Sequence, residues 1–148
     1  MTLTPTTADT PAVHDANLLA ALTYATEHPE RHQQGWWLTQ LPTLEGWCGT
    51  AGCIAGITVQ LHGWLPPKDL EVGELAEYVY RDGVQGNVPV IARELLGLTI
   101  VQGDWLFAPA NSLQELWEIA HTLTEGRITI PPQFTDSDGG ELDAWHEQ

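Results

Sequence analysis

Basic side chains are scarce in this chain. Lys68 and four arginines stand against twenty acids, and the formal net charge is −15. Nucleic-acid binding relies on Lys and Arg displacing counterions from phosphates, so this balance argues against direct contact with DNA or RNA. It argues equally against anionic membrane surfaces. Only two cysteines are present, Cys48 and Cys53, too few for a disulfide-built scaffold. Long apolar runs are missing too. The longest candidate, Cys53 to Leu65, is interrupted by Gln60 and His62 and falls short of the ~18 residues a membrane span needs. Met1 to Pro11 is rich in Thr and Pro, without the basic start and apolar middle of a signal peptide. The expected location is cytoplasmic.

What is present supports one folded unit. Apolar residues make up 43% of 148, enough for a core that needs neither disulfide nor metal. Residues 1–13 read as a disordered segment, 14–134 as a single globular domain and 135–148 as an acidic disordered tail. Asp15 stands as an N-cap before Leu18, Leu19, Leu22 and Ala25, which have helical spacing, and Pro29 ends that helix. Trp36 to Trp47, around Pro42-Thr43, suggests a short hairpin. A central helix is expected from Thr50, its cap, to His62. Ala51, Gly52, Ile54, Ala55, Gly56, Ile57, Val59 and Leu61 leave it apolar nearly all round. Gly52 and Gly56, four apart, leave a strip where another backbone can approach closely.

Beyond Pro66-Pro67, the spacing of Val72, Leu75, Ala76 and Val79 predicts a weaker acidic helix, and Arg81 to Gly86 a loop. Val88, Ile91, Ala92 and Leu95 mark the next helix, with Pro89 in its first turn and Gly97 at its end. Thr99 with Gln102, and Ser112 with Glu115, have capping-box spacing. The second box precedes Leu113, Leu116, Trp117, Ala120 and Leu123, an amphipathic stripe closed by Gly126. Arg127 to Ile130 alternates like one short strand. The expected fold is mainly α: a compact helical bundle of four to five helices with at most a small β-hairpin or short strands.

One stretch reads as a chemical motif, Trp47-Cys48-Gly49-Thr50-Ala51-Gly52-Cys53. Cys48 before a helix N-terminus could be an activated thiol, with His14, His28, His32, His62 or His121 as base. Cys48 and Cys53 could hold zinc with His28 and His32, although Pro29 separates those two histidines. A redox pair would be unusual at this spacing. A packing role accounts for every residue in the motif. Gly49 turns the chain, Thr50 caps the helix, and Cys53 packs as a small hydrophobe beside Gly52, Ile54 and Gly56. That reading is preferred, so no catalytic residue, metal ligand or cofactor is assigned. Among the carboxylates Glu45, near Trp47, is the best candidate acid, and a weak one.

Seven tryptophans are many for this length. Trp47, Trp64 and Trp117 read as structural. Adjacent Trp36 and Trp37 point to opposite faces of a strand, so one of them, or Trp105 beside Asp104, is expected at the surface. Trp36, Trp37, Trp105 and Asp104 are therefore the candidate partner contacts.

The order helix, His28-Pro29-Glu30, Trp36-Trp37, Cys48-Gly49-Thr50-Ala51-Gly52-Cys53-Ile54-Ala55-Gly56 resembles a group of small uncharacterised proteins. They belong to actinobacteria and to the tailed phages that infect them, mycobacteriophages among these. The resemblance continues at Ala92 to Leu98 and at Trp105-Leu106-Phe107, and spans residues 15 to 125. It implies phage or prophage origin and an accessory protein that acts in host cytoplasm by binding a host or phage protein. It carries over no residue role. The expected function is a non-enzymatic acidic binding protein that modulates a partner with a basic surface, in its sharpest form a nucleic-acid mimic. The alternatives are a thiol- or metal-dependent enzyme built on Cys48 and Cys53, and a self-associating structural component.

Overall fold

The computed structural model describes residues 13–40 and 50–135. The expectations placed on Trp47, Cys48, Gly49, Glu45, the Pro42-Thr43 turn and all but the margins of the two tails lie outside them. Among the described residues the fold is mainly α. Helices α1 (Asp15–Glu27), α2 (Ile54–Leu61), α3 (Val88–Leu96), α4 (Ile100–Leu106) and α5 (Leu113–Leu123) surround one core. Strands β1 (Leu38–Gln40), β2 (Thr50–Ala51) and β3 (Leu75–Ala76) form a small antiparallel sheet in the order β2-β1-β3. Strands β4 (Tyr78–Arg81) and β5 (Val84–Asn87) form a hairpin.

Helix α2 is the centre. Every residue from Ile54 to Val59 is buried, and α1 and α3 pack against it. Thr58 satisfies its buried hydroxyl on the carbonyl of Ile54 at 2.7 Å. A Cβ at Gly52 or Gly56 would collide with the carbonyl oxygen of Trp37, so the backbone of the loop before β1 lies directly on this helix turn. Around it, Leu18, Leu22, Leu96, Leu106 and Leu116 are wholly buried. Each such side chain contributes about 1.5–3 kcal/mol of transfer free energy.

The ends of the helices follow their capping chemistry. Thr99 Oγ1 accepts from the Gln102 amide at 3.1 Å while Gln102 Oε1 accepts from the Thr99 amide at 2.9 Å. Ser112 and Glu115 exchange the same pair of bonds at 3.1 and 2.7 Å. Gly97 ends α3 in the left-handed conformation, φ 70°. Helices α1 and α3 also cap each other: the His14 amide donates to Leu96 O and Asn17 Nδ2 to Leu95 O.

Four expectations are corrected. Asp15 is not the N-cap of α1. His14 holds that position, and the Asp15 carboxylate instead pairs with Arg127 at 2.6 Å. The central helix begins at Ile54 with Cys53 as N-cap, not at Thr50. Thr50 and Ala51 pair with β1, while the Gly52 amide and carbonyl bond to Arg31 and Gln33, so these backbone groups are unavailable to a helix. The acidic helix around Val72–Val79 and the loop after it are strands β3, β4 and β5. Helical geometry would stack Glu71, Glu74 and Glu77 as like charges, whereas Asp82-Gly83, with φ 52° and 80°, make the tight turn of a hairpin. Arg127–Ile130 is not a strand. Ile128 has its amide on Thr124 Oγ1 and its carbonyl on His121 Nδ1, so the end of α5 takes the bonds a partner strand would need.

Candidate functional site

The motif cysteine that the structure describes is placed for packing. Cys53 is buried at the N-terminus of α2, facing the amides of Ala55 and Gly56. Those amides favour a thiolate, but burial outweighs them and pushes the thiol up to about 11. The thiol therefore stays protonated and weakly nucleophilic at neutral pH. Among the described residues no three His, Cys, Asp or Glu side chains converge to hold a metal ion.

The predicted partner contacts separate into different environments. Trp36 is 47% exposed and Trp105 44% exposed, and Asp104 is exposed beside Trp105. Trp37 packs against the core, edge-on to Phe107. Trp105 shares the outer face of α4 with Ile100 and Val101, also exposed. Trp117 and Trp64 are structural, as their positions suggested. Trp117 is buried and donates to Thr26 Oγ1 at 3.0 Å, while Trp64 lies beneath the Arg81 guanidinium, 4.9 Å from its ring centre.

A concave surface lies elsewhere, along the β4–β5 hairpin. The two-residue period of β4 buries Val79 and turns Tyr78 and Tyr80 outward. Val79 is paired with Gly86, where any Cβ would strike Ile91 and the Trp64 ring, so the hairpin sits tightly on α3. Leu65 flanks β4 on its other side, exchanging two backbone bonds of 2.9 Å with Tyr80. It is 64% exposed and continues into Pro66-Pro67.

Two lobes adjoin at Pro67, Asp69 and Tyr80. One, about 570 Å³, runs from Leu65 and the prolines to Lys68, Arg81 and Asp82 at the hairpin tip. The other, about 540 Å³, lies between Tyr78, Leu75 and the acids Glu71, Glu74 and Glu77. An exposed aromatic and aliphatic floor with an acidic edge is suited to holding a partner.

This surface is hidden in the sequence because the spacing of Val72, Leu75, Ala76 and Val79 also fits an amphipathic helix. The signals were nonetheless present: Asp82-Gly83, the strongest short hairpin dipeptide type, preceded by Tyr78-Val79-Tyr80. Comparison with protein-family models, curated proteins and solved structures finds no match to this chain. No helix among the described residues is long and apolar enough to cross a membrane.

Proposed function

We propose that this chain is a non-enzymatic binding protein that engages a partner protein through the groove along β4. The observation that carries this reading is the grouping of Leu65, Leu75, Tyr78 and Tyr80 at the surface, each at least 39% exposed, beside Asp69, Glu71, Glu74 and Glu77. Apolar side chains grouped at a concave surface and edged by charge are a feature of interaction sites. The acidic edge and the net charge of −15 favour a partner with a basic surface, which they would also steer on approach. The resemblance to phage and actinobacterial proteins supports a partner in an actinobacterial host, and an accessory role in host cytoplasm. Exposed aromatic rings favour protein contact over mimicry of a nucleic acid, which needs ordered charge alone.

The test is affinity capture from actinobacterial lysate with the wild-type chain and with a Leu65→Asp, Tyr78→Ser variant, read by mass spectrometry. One dominant protein held by the wild type and lost with the variant is expected. Because both side chains are exposed, the variant should keep its melting temperature. Equal capture by the two baits would remove the groove from the proposal.

A further inference from the structure

We infer that the groove takes a basic, proline-containing segment of its partner in an extended polyproline conformation, an inference that rests on the binding reading above.

Strand β4 pairs with β5 along one side, and on the other Leu65 takes the backbone groups of Tyr80. A segment lying over the Tyr78 and Tyr80 rings rests on the face of the hairpin, not on its edge, so recognition falls to side chains. An ordinary extended peptide would lose water from amides that find no partner there, at a cost of ~1–3 kcal/mol for each orphaned group. Proline has no amide hydrogen to orphan, and a polyproline helix makes no internal backbone bonds and is stiff before it binds.

The floor has the shape for this. Tyr78 and Tyr80 stand on one face of β4 with their Cα atoms ~6.8 Å apart, so two rings lie side by side. Leu65 and Pro66-Pro67 form the opposing apolar side of the adjoining lobe. Flat rings flanking apolar slots are the surface on which proline-rich segments dock.

Charge sets the direction of the segment. Asp69, Glu71, Glu74 and Glu77 line the lobe beside Tyr78, and no basic residue lines it. Lys68 and Arg81 lie in the other lobe, where Arg81 is held over Trp64 and donates to His62 O at 3.0 Å. The ligand's Lys or Arg therefore belongs at the Glu71–Glu77 end, and its prolines at the Tyr80–Leu65 end.

Fluorescence anisotropy with the full-length chain tests this directly. The probe is a labelled synthetic peptide with a Pro-x-x-Pro core followed by arginines. Its controls are the Pro→Ala form, the Arg→Glu form and a basic amphipathic helical peptide. The proline–arginine peptide should bind best, and Tyr78→Ser with Tyr80→Ser should weaken it roughly tenfold or more. Glu74→Gln with Glu77→Gln should cost roughly two- to fivefold, less at high salt. Unchanged melting temperatures would exclude misfolding as the cause. If the Pro→Ala or helical peptide binds equally well, with the same loss in the tyrosine variant, the polyproline inference falls while the groove reading stands. If no peptide responds to the tyrosine variant and capture is also unaffected by the groove substitutions, both fall.

Discussion

Cys53 shows two opposing influences on one atom. Its sulfur faces helix amides that favour negative charge, yet burial dominates and holds the thiol near 11 against an ordinary 9.0. For an acid raised in the folded state, the stabilising contribution is intact below 9.0 and is lost as pH climbs through about 11. In a Cys48→Ser background, Cys53 should therefore resist a disulfide reagent at neutral pH until the chain is unfolded by urea, and its stability should decline in alkaline buffer. Rapid modification of the native protein at pH 7 would count against burial and reopen thiol chemistry. That Cys53 packs as a small hydrophobe could be read from the chain. That it caps α2 could not, because the cap is decided by Gly52 bonding to Arg31 and Gln33, a non-local pairing.

Helices α2 and α4 each carry an interior glycine, and the two should respond unequally to the same change. Glycine to alanine in a helix ordinarily gains about 0.5–1 kcal/mol. At Gly103 the new methyl meets Arg93 Cδ at 2.7 Å and Cγ at 2.8 Å, with Phe107 Cε2 at an ordinary 3.5 Å, so a side chain rather than backbone must shift and Gly103→Ala should be close to neutral. At Gly56 it meets the backbone carbonyl of Trp37, which has little room to retreat. Gly56→Ala should therefore cost ~1–3 kcal/mol. Urea denaturation of both variants checks the contrast, and a neutral Gly56→Ala would mean that the loop over α2 yields easily. Elements with local signals were readable in advance. The boxes at Thr99 and Ser112, Pro89 in a first turn and Gly97 at a helix end all act within a few residues. The hairpin is obscured because Val72, Leu75, Ala76 and Val79 fit a helical period by coincidence, and the Asp82-Gly83 dipeptide that contradicts it lies beyond the end of that run.

At the scale of the molecule, a net charge of −15 repels itself and attracts basic partners. Salt should then act with opposite signs on two properties. Raising ionic strength shortens the Debye length from ~30 Å at 0.01 M to ~8 Å at 0.15 M. The melting temperature should rise over that range while affinity for the arginine-bearing peptide falls, and matched titrations in one buffer series would show both. A salt-indifferent affinity would remove the electrostatic share of the interaction. The acidity was plain from composition, but the place where it matters was not. The candidate contacts Trp36, Trp105 and Asp104 are surface residues, yet the concave floor is assembled from residues 63–83 by strand pairing whose local signals, Tyr78-Val79-Tyr80 and Asp82-Gly83, are overlaid by a competing helical spacing.

One side chain in the loop between α1 and β1 links distant helices. Gln34 Nε2 donates to the carbonyls of Leu106 and Ala108, while its Oε1 accepts from the Ile54 amide and meets His32 Nε2. This single amide joins the first turn of α2 to the end of α4, reaching 74 residues along the chain from Gln34 to Ala108. On the ribosome, where the chain emerges from its N-terminus, the two acceptors for Gln34 Nε2 are complete only once Leu106 and then Ala108 have been made. The loop can thus settle early on residues 52–54, through the backbone bonds of Arg31, Gln33 and Trp36, and gain its link to α4 only late, so a prematurely ended chain would hold Trp36 and Trp37 from one side alone.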